Sequence, residues 1–191
     1  MISGAVRDEL IARYSEPHRR YHTMTHIEDC LAQVAASTDM TNDQRALMDA
    51  AIWFHDAIYD ATRNDNEAES ARLAAERLTS DGASQAFIDQ VSRLILLTAG
   101  HSVQLDDPLG ARLVSIDLSI LGAEPDRYDA YAAAIREEYA HVPEPLYRAG
   151  RAAILARFLE SGALFADPGW ADRLETQARA NLTREIAALT A

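Results

Sequence analysis

Two histidines and two aspartates stand in positions that a bound cation would explain. The apolar run Ala50-Ala51-Ile52-Trp53-Phe54 ends in His55-Asp56. On a helix, His55 falls between Ala51 and Ile52 on one side and Ile58 and Tyr59 on the other, inside the core-facing stripe. An ionised carboxylate taken out of water without compensation costs on the order of several kcal/mol, and direct coordination to a metal removes that penalty. Asp117 poses the same problem among Leu113, Val114, Ile120 and Leu121. His26 lies beside the stripe of Ile27, Cys30, Leu31 and Val34, with His22 one turn earlier.

His26, His55, Asp56 and Asp117 form a mixed nitrogen and oxygen ligand set. It suits Mn, Fe, Co, Ni, Zn or Mg, and it lacks the soft ligand that favours copper. A six-coordinate ion held by these four would keep positions open for water and a substrate oxygen, which hydrolysis requires. His55 and Asp56 are consecutive and diverge by about 100° around an ideal helix. Both can reach one ion only if it sits between them at the helix end.

The elements that must bring these residues together are helices. Apolar positions recur at helical spacing almost throughout, and start signals are frequent. Thr41 with Gln44 reads as a capping box, and Asp167-Pro168 as an N-cap and first-turn pair. The spacing predicts helices over 4–14, 24–37, 42–59, 66–79, 84–99, 109–122, 125–140, 144–163 and 168–189. Val114 to Ile120 alternates like a half-buried strand. No second strand-like run exists to pair with it, so helix is the expectation there too.

With 191 residues, 48% of them hydrophobic, the chain suits one compact all-α domain spanning 1–191. A net charge of -12 opposes binding to a nucleic-acid backbone, although a metal and a few arginines can reverse the potential within one cleft. The single cysteine, Cys30, excludes an internal disulfide and any thiolate-rich metal cluster, and it points to a reducing compartment. Arg7, Asp8 and Glu9 interrupt the N-terminal run where a signal peptide needs apolar residues, and no later stretch has membrane-spanning length. A cytoplasmic protein without a membrane partner is expected. The sequence leaves the oligomeric state open, a homodimer included.

The order His26, His55-Asp56, Asp117 on successive helices resembles the HD superfamily of metal-dependent phosphohydrolases, whose signature is H…HD…D. The flanking blocks sharpen the likeness. Tyr14 to His22, Thr25-His26-Ile27, Phe54 to Asp60, Asn66-Glu67 with Ser70-Ala71, and Asp117-Leu118 before Leu121-Gly122 resemble a bacterial subgroup of predicted HD phosphohydrolases. The likeness runs on through Ile135 to Tyr139 and Gly150-Arg151. Where related sequences carry a further Asp two residues before the last ligand, this chain has Ser115. The resemblance implies an HD-domain helical bundle and hydrolysis of a small phosphate ester, a nucleotide being one option.

Around such a centre Glu67 is the choice for a base or water-orienting group, because its loop should open beside the metal. His22 is either a contact to the ligands or substrate phosphate, or a surface residue. His101, after Gly100, is either a substrate contact or a helix C-terminal cap. Arg19, Arg20, Arg148 and Arg151 are candidates for charge-assisted contacts to phosphate. Two other functions fit the same ligands. One is an HD-fold di-iron oxygenase, for which His101 is the only histidine between His55 and Asp117; the other is a non-catalytic metal- or nucleotide-binding module.

Overall fold

The computed structural model describes residues 2–160 and 162–191, and among them it is helical throughout, with no strand. The helices are α1 (Gly4–Tyr14), α2 (Met24–Ala36), α3 (Asn42–Phe54), α4 (Asn66–Ser80), α5 (Gln85–Leu97), α6 (Pro108–Asp117), α7 (Pro125–Glu138), α8 (Glu144–Glu160) and α9 (Pro168–Thr190), with a 3-10 turn at Leu118–Gly122. They group into two compact units, Met1–Leu113 and Val114–Ala191. No helix among the described residues is long and apolar enough to cross a membrane.

Local chemistry sets the helix ends. Ser3 and Ser84 accept from Val6 and Phe87 backbone N–H groups, and Thr41 with Gln44 closes the expected capping box at 3.2 and 2.9 Å. Asp167 caps α9 by accepting from the Gly169 N–H at 2.8 Å, with Pro168 in the first turn. The last expected helix but one, 144–163, takes in Ser161, which lies outside the described residues. The observed α8 ends at Glu160.

In the first unit α4 packs on α5, and α3 packs on α5, α2 and α4. The core is built from Ile27 and Val34 of α2, Met48, Ile52 and Phe54 of α3, Leu78 of α4, and Val91, Leu94 and Ile95 of α5. Each large side chain contributes about 1.5–3 kcal/mol of hydrophobic stabilisation. The amphipathic reading of α2 to α5 holds because one stripe of each helix faces this core.

In the second unit α8 and the 3-10 turn both pack on α9, and α7 packs on the turn. The strand-like alternation of 114–120 has a helical explanation. Val114, Ser115 and Ile116 are all buried, so this part of α6 is enclosed on every side, and the hydroxyl of Ser115 accepts a hydrogen bond from the Asp167 N–H at 2.9 Å. A polar residue within the alternation is thus an internal hydrogen-bond acceptor and does not mark a solvent face.

Candidate metal centre

Helix α3 ends five residues earlier than its periodicity suggests. Phe54 is its last residue, His55 is the C-cap with φ -58° and ψ -36°, and Asp56 follows in a turn. The two consecutive side chains nevertheless meet at this helix end, with Asp56 Oδ2 3.0 Å from His55 Nε2. The turn is held from both sides. Arg19, with a fully buried side chain, donates from Nη1 to the carbonyls of Asp56 at 2.8 Å and His22 at 3.0 Å, and from Nη2 to that of Ala57 at 3.1 Å. From α4, Ser70 Oγ accepts from the Ile58 N–H at 3.0 Å and donates to the Ile58 carbonyl, while Asn66 makes the matching pair with Asp60. Chain leaving a helix inside a protein needs such partners for its peptide groups.

The result is a tight convergence. His26 Nε2 and His55 Nε2 lie 3.2 Å apart, Asp56 Oδ2 lies 3.0 Å from His55 Nε2, and it lies 3.7 Å from His26 Nε2. Ligand atoms about 2.0–2.2 Å from a common ion stand about 3–3.5 Å from one another, so this triangle has the size of one face of a coordination shell. The two histidines belong to a group that could hold a metal ion. Both are buried, and the Asp56 side chain is 16% exposed, which leaves an approach from solvent.

Outer partners orient the rings. His55 Nδ1 lies 2.9 Å from the Ile52 carbonyl, which can only accept, so the neutral ring carries its proton on Nδ1 and aims a lone pair from Nε2. That lone pair meets the Asp56 carboxylate oxygen, another acceptor. A cation between them satisfies both, and so does a second proton on His55; the donor set fits either, and a divalent ion also satisfies His26. At His26 the Tyr21 hydroxyl lies 3.0 Å from Nδ1, leaving Nε2 for the centre. The buried thiol of Cys30 lies alongside the His26 ring, 3.8 Å from Nδ1 and 3.9 Å from Nε2.

Of the other expected site residues, His22 borders the cluster. Its ring stacks on Tyr59 with centroids 4.0 Å apart and stands edge-on to His26 at 6.2 Å. Glu67 is half-buried in the first turn of α4, next to the Asn66 that clasps the loop. Tyr14 donates to the Trp53 carbonyl at 3.0 Å, and burial, reinforced by the Asp56 charge, pushes its phenol well above the ordinary value. His101 adopts a left-handed φ of 50°, and its N–H bonds the Leu97 carbonyl at 3.0 Å. Its backbone N–H thus closes the turn that follows α5. Asp117 is half-buried and forms the last residue of α6, four residues beyond the end of the first unit.

The arginines need correction. Arg19 does not present its guanidinium to a phosphate: besides the three carbonyls it donates from Nε to Glu16 at 3.0 Å and lies over the Tyr14 and Tyr59 rings. Arg148 donates to the Leu189 and Ala188 carbonyls at the end of α9, and Arg151 pairs with Glu185 at 2.8 Å. Both are therefore parts of the second unit's α8–α9 packing. Arg20 is exposed, with Nη1 donating to the carbonyls of Pro17 and Arg19. The residues missed from sequence are Tyr21 and Ser70; each polar side chain's value lies in what it touches across the fold, although both fall within the quoted sequence blocks.

Compared with protein families, curated proteins and solved structures, the chain matches none.

Proposed function

We propose that this chain is a metal-dependent phosphohydrolase of the HD type acting on a small phosphate ester, with a nucleotide as one option. The observation that carries the proposal is the convergence of His26 Nε2, His55 Nε2 and Asp56 Oδ2 within 3.0–3.7 Å at the broken end of α3. The resemblance of the flanking blocks to HD phosphohydrolases adds Asp117 as the fourth ligand. A bound Mn, Co, Ni, Zn, Fe or Mg ion supplies Lewis acidity, lowering the pKa of a coordinated water and drawing charge from a phosphoryl oxygen.

The chain's own residues do the rest. Ile52 and Tyr21 fix the ring orientations of His55 and His26, so that both Nε2 atoms face inward before any ligand arrives. Glu67 orients the attacking water. His22, held by its stack on Tyr59, and Arg20 stabilise charge gathering on the phosphoryl group, with His101 a further contact.

Metal analysis of the purified protein, followed by phosphate release from a panel of nucleotides and phosphorylated metabolites with Mn, Co, Ni and Mg, tests this. Stoichiometric metal and phosphate release, both lost in His55→Ala and Asp56→Ala, support it. Iron with oxygen uptake indicates the oxygenase instead, and bound metal without turnover indicates a binding module. Metal-free protein that takes up no ion on titration overturns the centre, leaving a protonated His55 paired with Asp56.

A further inference from the structure

The first unit holds a concavity that no histidine lines. It is a cleft of about 460 Å³ lined by Leu31, Trp53, Leu78 and Phe87, with Arg7 of α1 and Asp49 of α3 among its walls. Its volume falls in the range of about 300–1,000 Å³ found for small-molecule sites, which are mostly apolar with a few polar groups that fix orientation.

Of the charged residues that line it, Arg7, Arg45 and Asp49, only Arg45 has its side chain engaged by hydrogen bonds. Asp49 is half-buried, its side chain makes no hydrogen bond or ion pair among the described residues, and burial pushes its carboxyl above the ordinary value despite the nearby charges of Arg45 and Arg7. The Arg7 side chain makes no hydrogen bond or ion pair among the described residues either; its guanidinium lies over the Trp53 ring, 5.7 Å from the centroid. Arg45 cannot neutralise Asp49 by direct contact, because its guanidinium is held by the carbonyls of Val34 at 2.5 Å and Ser37 at 2.7 Å, at the end of α2. Arg45 also lines the cleft, but its guanidinium is taken up by those carbonyls, so the cleft presents the Asp49 carboxylate and the Arg7 guanidinium, unpaired with each other, beside an apolar floor.

A ligand that satisfies all three features carries an ammonium group, a carboxylate and an apolar body. We propose that this cleft binds a free amino acid with a large apolar side chain, its ammonium on Asp49, its carboxylate on Arg7 and its side chain against Leu31, Leu78 and Phe87. A simple amine would leave Arg7 unmatched, and a simple carboxylate would leave the half-buried Asp49 charge unmatched and repelled. The site is independent of the metal centre, since none of the proposed metal ligands lines it.

Calorimetric titration of the whole chain with L-leucine and L-phenylalanine tests the assignment, with phenethylamine and 3-phenylpropionate as matched amine and acid. The expected result is saturable binding of one amino acid per chain, tighter than either matched compound. Asp49→Asn and Arg7→Gln each weaken it by about tenfold or more, the loss expected of one charge-assisted hydrogen bond. Ala46→Trp, at an exposed position on the cleft wall, abolishes it without touching either charge. Absence of saturable binding overturns the proposal, as does an affinity indifferent to both charge substitutions, or an amine or acid that binds as tightly as the amino acid.

Discussion

Arg19 Nη1 donates to the carbonyl of Asp56 at 2.8 Å across 37 residues of chain, which ties the peptide bearing a proposed metal ligand to the segment before α2. The same guanidinium takes the carbonyls of His22 and Ala57, so one buried cation sets the path of the chain on both sides of the centre. A lysine has three donors on a single atom and cannot reproduce this planar fork. Arg19→Lys is expected to fold with reduced stability, by about 2–3 kcal/mol, and to bind metal about 10–100-fold more weakly. Denaturant unfolding and metal titration measure the two effects separately. An unchanged metal affinity would show that Arg19 stabilises the fold without positioning Asp56.

Tyr21 gives a cleaner probe of ligand orientation. Its ring is half-buried and its hydroxyl meets His26 Nδ1 at 3.0 Å, so Tyr21→Phe keeps the shape and deletes the hydrogen bond to His26. Stability should fall by no more than about 1 kcal/mol, whereas metal affinity should drop about tenfold as His26 loses its anchor. Competition with a chelator reads this, and equal affinities in the two proteins would refute it.

The helices were legible because their information is local. Thr41 with Gln44 and Asp167-Pro168 announce α3 and α9 in a few residues, and the apolar stripes of α2 to α5 repeat at helical spacing. The end of α3 was not legible. Its apolar pattern continues through Ala57 and Ile58, and what stops it is a set of hydrogen bonds from Arg19, Ser70 and Asn66, two of them on a later helix and one on an earlier segment. The arginines failed for the same reason. Side-chain type predicts what a guanidinium can bind, but Arg148 and Arg151 meet α9 across more than thirty residues, and their partners are set by tertiary packing.

Acid sensitivity should trace to the join between α1 and α4. Arg77 donates to Glu9 at 2.6 and 3.1 Å, and this hydrogen-bonded pairing lowers the Glu9 carboxyl from its ordinary 4.5 to about 2. A depressed carboxylate stabilises the fold above its unfolded value, and the contribution is lost as pH falls from about 4.5 through 2. Both side chains are about a third exposed, so solvent screens the pair and its worth at neutral pH is below about 1 kcal/mol. Glu9→Gln should therefore be slightly less stable than wild type at pH 7 and equal to it near pH 2. Thermal melts across that window check the convergence; a constant gap would place the acid sensitivity elsewhere.

The 3-10 turn packs closely on α9 at Gly122. A Cβ on Gly122 would stand 2.6 Å from Leu174 Cβ and 2.9 Å from the Leu174 carbonyl, so the turn approaches the helix backbone as closely as a hydrogen allows. Buried Asn181 fixes the same approach by donating to the carbonyls of Leu121 at 2.9 Å and Ala123 at 2.8 Å. Gly122→Ala must push the turn off α9, and is expected to cost about 1–3 kcal/mol through overpacking. Asn181→Leu fills similar space but leaves two carbonyls without their donor, at about 2–3 kcal/mol. Because both changes release the same contact, the double variant should lose less than the sum of the single losses. Urea unfolding of the four proteins measures this, and strict additivity would mean that the turn and Asn181 hold the helix independently.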